Sequence, residues 1–231
     1  MTSVLFVHGL ESGPRGSKTL NLEAAGFEVV AGQMPCGQKR ALQDPVAIAV
    51  LVASLAALVG GALNRGASGF VIAAVSLAVL QRFVRPALMR RMFHRSVAVQ
   101  ERLLKAHRVD VVVGSSFGGA VALELLNRGA WKGPTVLLCP AHRLVAARGW
   151  SPSPTLPPAL AAHVVVVHGQ QDETVPPAHS RSLIKGTAAE LIEVNDDHRL
   201  STTATPENLR AWIRKATGTT AQGDASFPPA V

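Results

Sequence analysis

The chain has no tyrosine, few other aromatic residues and only two cysteines among its 231 residues. Aromatic residues make up 4% of the sequence, too few for the stacking platforms on which single-stranded nucleic acids bind. Cys36 and Cys139 provide neither a disulfide framework nor the spacing of a metal site, so we expect no metal ion and no cofactor. No DNA-reading motif accompanies the net charge of +8, so the expected partner is an anionic surface and not a nucleic acid.

Residues 114–118, with the sequence GSSFG, lie between two segments of different periodicity. Residues 109–113 form a β-branched apolar run typical of a buried strand, and residues 119–126 are apolar with helical spacing. A G-x-S-x-G motif at a strand-to-helix turn is typical of a nucleophile elbow, whose glycines allow a strained turn that exposes the serine hydroxyl. Ser116 is therefore a candidate nucleophile; the alternative is a tight turn with an incidental serine.

A serine nucleophile needs a base and a carboxylate that orients the base, and two later loops offer both. The apolar run at residues 161–167 is typical of a buried strand, and Asp172 lies on the loop after it. The last predicted strand is followed almost at once by His198. We therefore predict a triad of Ser116, Asp172 and His198. The alternatives are a helix cap for Asp172, the competing carboxylate of Glu173, and a solvated loop histidine.

The chain begins with a short apolar strand that ends in the sequence HGL at residues 8–10. A tetrahedral acyl intermediate requires two preorganised N–H donors. We expect these donors to be the backbone N–H groups of Leu10, in this first loop, and of Phe117, directly after the nucleophile. His8 is expected to be structural and to hydrogen-bond near the loop.

On these motifs the chain resembles a small bacterial α/β-hydrolase of the esterase or thioesterase type. The resemblance implies a mostly parallel sheet flanked by helices, and the alternation of predicted strands and helices supports it. We predict a minimal six-stranded sheet with strands at residues 4–7, 27–30, 109–113, 135–138, 164–167 and 190–194. The predicted helices cover residues 17–25, 97–107, 119–127, 177–183 and 206–216.

The resemblance is interrupted by an insertion. We assign residues 1–39 and 96–216 to the catalytic domain, residues 40–95 to an inserted helical hairpin, and residues 217–231 to a flexible tail. Relatives of this type carry a cap after the strand that follows the nucleophile helix, where this chain has only a short proline-rich loop.

The insertion contains two strongly apolar runs. Residues 46–63 carry no charge, and residues 70–80 resume the apolar pattern after a turn that contains Arg65. A membrane span needs about 17–25 apolar residues. The first run meets this length, and the second approaches it only marginally, if it begins near residue 66. Neither run has a polar face, which argues against a surface lid. We predict that residues 46–81 enter a membrane; a soluble lid or a dimer contact is the alternative.

Basic residues flank the hairpin on both sides. Lys39 and Arg40 precede it, and arginines follow at positions 82, 85, 90, 91 and 95. By the positive-inside rule both ends lie in the cytoplasm. We therefore expect a bacterial inner-membrane protein whose catalytic domain faces the cytoplasm, or a cytoplasmic protein if the hairpin does not enter the membrane.

Small residues predict how the two hairpin helices meet. We expect contact through stripes at positions 49, 53, 57 and 61 and at positions 66, 70, 74 and 78. Pro86 is expected to break or bend the helix that follows.

Together these features predict a serine hydrolase that cleaves a lipophilic carboxylic ester or thioester at a membrane surface. The hairpin follows the second predicted strand, at the sheet edge that also carries the triad loops, so membrane and catalytic cleft should face each other. An acyltransferase with the same triad, a soluble dimeric esterase and a catalytically silent membrane-tethered binding module are the alternatives.

Overall fold

Six parallel strands form one sheet, in the order β2-β1-β3-β4-β5-β6. The computed structural model of the protein describes residues 1–10, 12–36, 45–149 and 155–218. The strands are β1 Ser3–Val7, β2 Glu28–Val30, β3 Val111–Ser115, β4 Thr135–Leu138, β5 Val164–Gly169 and β6 Glu190–Val194. The helices are α1 Ser17–Ala24, α2 Pro45–Ala106, α3 Phe117–Asn127, α4 His142–Ala147, α5 Pro177–Ile184 and α6 Pro206–Thr217, with a 3₁₀ helix at Pro158–His163. The predicted α/β fold and all six predicted strands are confirmed.

The central strands are buried on both faces because they consist of nearly continuous apolar residues. Alternate side chains enter two separate core clusters. One cluster lies between the sheet and helices α2, α3 and α5, and the other lies between the sheet and helices α1 and α6. Since all strands run in the same direction, the loops after their carboxyl ends gather at one edge, which is where sheets of this type bind ligands.

Helix α2 reverses direction at Gly66, whose φ of 61° and ψ of −143° lie outside the helical region. A residue with a side chain rarely adopts this φ, so glycine is required at the reversal. We call residues 45–65 the first arm and residues 67–84 the second arm of the hairpin. After the second arm the helix continues without a break to Ala106 and ends in the catalytic domain.

The two arms are antiparallel and in direct contact. Gln81 Nε2 in the second arm donates to Ser54 Oγ in the first, at 3.4 Å. Nearer the turn, a Cβ atom on Gly69 would overlap the carbonyl oxygen of Gly61, so the backbones approach too closely there for larger residues. Such close approach of small residues is how helices associate in lipid.

The predicted contact stripes of the hairpin are largely wrong, and the helix is not broken at Pro86. In the predicted stripe of the first arm, Ala49, Ala53 and Ala57 are exposed and only Gly61 is half-buried, and in the stripe of the second arm only Ala74 is half-buried. The other half-buried positions of the first arm are Val50, Ser54, Leu58, Gly60 and Ala62. Alanines occur on several faces of this arm, so their spacing alone did not identify the contact face. Residues on both sides of Pro86 keep helical dihedral angles, so the predicted break does not occur. A bend of the helix at Pro86 stays a prediction.

The assignment of domains stays a prediction. Its boundary between residues 39 and 40 lies outside the described residues, as does the predicted tail from residue 219 onward. The predicted boundary between residues 95 and 96 falls inside the continuous helix α2. Burial of that helix against the catalytic core begins earlier, at Met92 and Phe93.

The outer surface of the hairpin is apolar. Of the 16 large hydrophobic side chains that are exposed among the described residues, 14 lie between residues 46 and 83. Contiguous exposed apolar surface of this kind marks a site of interaction with a membrane or another protein. Within the described ranges, the segment Ile48–Ala106 is the one helix whose length and composition would allow it to cross a membrane.

A buried polar side chain in the catalytic part of helix α2 leads to a stability prediction. Gln100 is fully buried, and neither its amide nitrogen nor its amide oxygen has a hydrogen-bond partner among the described residues. An unpaired buried amide costs about 1–3 kcal/mol. We expect Gln100→Met to raise the free energy of unfolding by about 1–2 kcal/mol and the melting temperature by roughly 3–6 °C.

Thermal unfolding of the purified protein measures this effect. The matched control is Gln170→Met, because Gln170 is exposed and its replacement should change stability by less than about 0.5 kcal/mol. A Gln100→Met variant that melts at or below the wild-type temperature would show that the amide has a favourable role in the core.

Candidate active site

Ser116 occupies a strained turn between strand β3 and helix α3. Its φ of 56° and ψ of −116° are unusual for a residue with a side chain and cost about 1–3 kcal/mol. The two glycines of the motif make the turn possible. A Cβ on Gly114 would lie 2.7 Å from the carbonyl oxygen of Gly118, and a Cβ on Gly118 would collide with the end of strand β1. The half-buried Ser116 is thus presented at the carboxyl edge of the sheet.

The three residues predicted as a triad lie in one hydrogen-bonded chain. The Ser116 hydroxyl donates to His198 Nε2 at 2.8 Å, and His198 Nδ1–H donates to Asp172 Oδ2 at 2.7 Å. Ser116 follows β3, Asp172 follows β5 and His198 follows β6, so residues 82 positions apart meet because three parallel strands end at the same edge. Glu173, the competing carboxylate, is exposed.

Asp172 is buried and accepts hydrogen bonds from several directions. Its Oδ1 accepts the backbone N–H groups of Thr174 and Val175, at 2.9 and 2.7 Å. Its Oδ2 accepts from His198 and lies 3.1 Å from His168 Nε2. Burial raises the pKa of Asp172, but hydrogen bonds from the two histidines and from the backbone outweigh burial and hold the pKa below its ordinary value. The carboxylate is therefore ionised at neutral pH.

His168 is the second histidine in contact with Asp172. It is fully buried, and its Nε2 lies 2.8 Å from the carbonyl oxygen of Val175, so this nitrogen carries the proton. The same Nε2–H faces Asp172 Oδ2. The other ring nitrogen, Nδ1, accepts from the Ser180 hydroxyl at 2.7 Å. Sequence patterns did not indicate this role, because the contact partners lie on the loop after β5 and on α5.

Asp196 organises the loop that carries His198. It is buried, and its Oδ2 accepts from the backbone N–H and the hydroxyl of both Thr202 and Thr203, at 2.8–3.0 Å. Burial raises the pKa of Asp196, but the bonds from Thr203, Asp197 and Thr202 lower it further, so the net pKa is below its ordinary value. Asp196 was not among the predicted site residues; its position two residues before His198 was the available signal.

The residues expected to supply the oxyanion donors lie in or directly beside the Ser116 turn. Phe117 is the first residue of helix α3, where backbone N–H groups point out of the helix end. Leu10 lies in the turn after β1 and packs against the core cluster that includes Phe117. Between β1 and Leu10, a Cβ on Gly9 would lie 3.5 Å from Ser116 Cβ, so this loop passes directly beside the nucleophile. The assignment of the two donors stays a prediction.

His8 is fully buried and joins two loops at the edge of the sheet. Its Nδ1 lies 2.8 Å from the carbonyl oxygen of Gly9, and its Nε2 accepts the backbone N–H of Met34 at 3.3 Å. These contacts fix the first loop and confirm the structural role expected for His8.

Cys139 lies close to Asp172. It is buried, and loss of hydration raises the pKa of its thiol to about 12, so the sulfur is protonated at neutral pH and is not an activated nucleophile. Donor atoms of Cys139, His168 and Asp172 lie within 4.8 Å of one another. Both His168 nitrogens are engaged in the hydrogen bonds given above, so this cluster reads as a support for the carboxylate, not as a metal site.

No protein-family model matches the sequence. No curated protein matches it either.

Solved structures do match over nearly the whole chain. A protein from Xanthomonas campestris pv. campestris, assigned to the alpha/beta hydrolase superfamily, is 19% identical with a TM-score of 0.52, over 94% of this chain and 97% of its own. A protein from Thermus thermophilus is 16% identical with a TM-score of 0.54, over 94% of this chain and 88% of its own. A structure described with the metagenome-derived lipolytic enzymes LipS and LipT is 16% identical with a TM-score of 0.54, over 93% and 94%. The chain therefore has the α/β-hydrolase fold.

Proposed function

We propose that this protein is a serine hydrolase that cleaves carboxylic esters or thioesters. The observation that carries the proposal is the 2.8 Å hydrogen bond from the Ser116 hydroxyl to His198, with His198 in turn 2.7 Å from the buried carboxylate of Asp172. A serine hydroxyl becomes a nucleophile when a base can take its proton and a carboxylate stabilises the resulting imidazolium. The lipolytic enzymes named above share the fold, which agrees with this chemistry without establishing it.

In the first half of the reaction, Ser116 Oγ attacks the carbonyl carbon while its proton passes to His198 Nε2. The N–H groups of Leu10 and Phe117 would stabilise the developing oxyanion. The bond from the carbonyl carbon to the leaving oxygen or sulfur then breaks as His198 returns the proton to it. The acyl group is left as an ester of Ser116. Water repeats the attack, releases the carboxylic acid and restores the free hydroxyl.

The hairpin supports a location at a membrane. At about 1.5 Å per residue, the first arm is about 30 Å long and the second about 27 Å, close to the thickness of a hydrocarbon core. Its exposed surface is apolar, as reported above, and positively charged residues lie at its base. We propose insertion into a bacterial inner membrane with the catalytic domain on the cytoplasmic side, and hence a lipophilic substrate.

Activity-based labelling tests the nucleophile and the location together. Membrane and soluble fractions of cells that express the protein would be treated in parallel with a fluorophosphonate probe, which reacts with activated serines. We expect labelling of Ser116 in the membrane fraction. Absence of labelling in both fractions would contradict the hydrolase, and labelling confined to the soluble fraction would contradict the membrane location.

His168 should act as a positioning residue for Asp172, and two substitutions separate its two ring nitrogens. His168→Gln places an amide near the original Nε2 and can still donate to Asp172, whereas His168→Asn reaches only the position of Nδ1. Since a hydrogen bond to a charged group contributes about 1.5–3 kcal/mol, we expect His168→Asn to lower kcat about tenfold and leave KM unchanged. The kcat of the His168→Gln variant should stay within about threefold of the wild-type value.

The comparison is made by steady-state hydrolysis of a soluble ester together with thermal unfolding of each variant. A purely structural role would make both variants lose activity in parallel with stability. Equal loss of kcat in the two variants would therefore contradict the positioning role.

A further inference from the structure

The helix below the hairpin carries an unusual concentration of arginine. Residues 45–100 contain no aspartate or glutamate, and five of their six arginines lie within the 14 residues from 82 to 95. Arg82, Arg90, Arg91 and Arg95 are exposed, and we call these four residues the collar. At about 100° per residue they point to different sides of the helix, spread over roughly 220°. A cationic surface that covers more than half of the helix circumference therefore adjoins the apolar surface.

The end of the collar nearest the catalytic core, Arg91 and Arg95, lies beside the candidate active site. Phe93, between Arg91 and Arg95, is fully buried in the catalytic core. Its ring packs edge to face against the ring of Phe117, with 5.9 Å between centroids. Phe117 directly follows Ser116. The hairpin helix thus enters the domain beside the nucleophile, and not at the opposite end of the sheet.

We propose that the collar binds the phosphate groups of anionic phospholipids and thereby holds the Ser116 cleft at the membrane interface. This inference rests on the proposed function and names its partner and substrate class. Guanidinium groups match phosphate oxygens in charge and geometry. Acyl ester bonds of membrane lipids lie just below the headgroups, which is where this geometry would bring Ser116. The substrate class is therefore an acyl ester resident in an anionic leaflet.

The neighbouring surface favours a lipid over other polyanions. Leu80 and Phe83 stand at the base of the second arm, and their side chains are 53% and 68% exposed. A nucleic acid or an acidic protein that bound the collar would leave this apolar surface in water. A bilayer covers the apolar arms and offers phosphates at the collar in the same binding event.

The test uses the full-length protein reconstituted into vesicles of phosphatidylcholine alone or of phosphatidylcholine mixed with phosphatidylglycerol. One substrate is a fluorogenic long-chain acyl ester dissolved in the bilayer, and the other is water-soluble p-nitrophenyl acetate. The collar variant is R82Q/R90Q/R91Q. The matched control, R102Q/R108Q/R214Q, removes the same charge from arginines that are exposed elsewhere on the described surface.

We expect the wild type and the control variant to hydrolyse the bilayer ester at least about tenfold faster in the anionic vesicles, a preference that added salt reduces. The collar variant should lose that preference while it hydrolyses p-nitrophenyl acetate at the wild-type rate. A wild type without the preference, or a collar variant that keeps it, would overturn the inference. Failure to hydrolyse either ester would instead overturn the proposed function, so the two failures are distinct.

Discussion

Replacement of Ser116 by alanine should reduce kcat for ester hydrolysis by about 10⁴- to 10⁶-fold. The reason is that alanine leaves His198 and Asp172 in place but removes the only atom of the chain of hydrogen bonds that can form the acyl intermediate. Substrate binding does not depend on this oxygen, so KM should change little. Hydrolysis of a soluble chromogenic ester by the purified variant measures the loss.

The motif itself supplies the matched control. Ser115 precedes Ser116 and ends strand β3, where its side chain is buried and lies outside the hydrogen-bonded chain described above. Ser115→Ala should therefore keep kcat within a few-fold of the wild type. A Ser116→Ala variant that retains near wild-type turnover, with Ser115→Ala equally active, would show that neither serine of the motif is the nucleophile.

The fold and the three central residues of the site could be predicted because each depends on a local signal in a parallel sheet. Ser116, Asp172 and His198 each follow a run of apolar residues that forms a strand. Parallel strands bring the loops at their carboxyl ends to one edge, so position after a strand predicts spatial proximity. The distances of 2.8 and 2.7 Å agree with that expectation.

The supporting residues could not be predicted because their partners are remote or carry no periodic signal. His168 is an ordinary buried strand residue by sequence, and its role depends on contacts with Asp172, Val175 and Ser180. Asp196 is one of two adjacent aspartates, and only the folded loop shows that its carboxylate binds Thr202 and Thr203. Side-chain direction in loops follows from tertiary contacts, which spacing along the chain does not specify.

The same limit explains why the contact stripes were largely misplaced and why no break occurs at Pro86. An alanine-rich helix has small residues on more than one face. Whether the first arm contacts the second through the face of Ala53 or through that of Ser54 can therefore be decided only when the position of the second arm is known. Pro86 removes one backbone hydrogen bond, but a long helix held by tertiary contacts tolerates this loss. The sequence pattern therefore predicted an apolar helical hairpin correctly, but it did not identify most of the residues that lie between the two arms.

Arginines placed at the centre of both arms should release the protein from membranes. Leu55 and Val75 lie near the middle of the first and second arms, with side chains 62% and 59% exposed. An arginine at the centre of a bilayer costs about 2.5–3.5 kcal/mol, so Leu55→Arg with Val75→Arg should shift the insertion equilibrium by about 10⁴-fold. If the arms were instead exposed to water, each of these two substitutions would change the free energy of unfolding by less than about 0.5 kcal/mol.

Alkaline carbonate extraction of cell membranes separates these cases, because it removes soluble and peripheral proteins. We expect wild type in the pellet and the double variant in the supernatant, still labelled by a fluorophosphonate because its catalytic domain remains folded. Leu20→Arg is the matched control, since Leu20 is 57% exposed on helix α1 outside the hairpin, and it should remain in the pellet. Wild-type protein in the supernatant would instead favour the soluble dimer, in which the apolar arms of two copies cover each other. The 14 exposed hydrophobic side chains between residues 46 and 83 indicate that a membrane or another protein covers the arms.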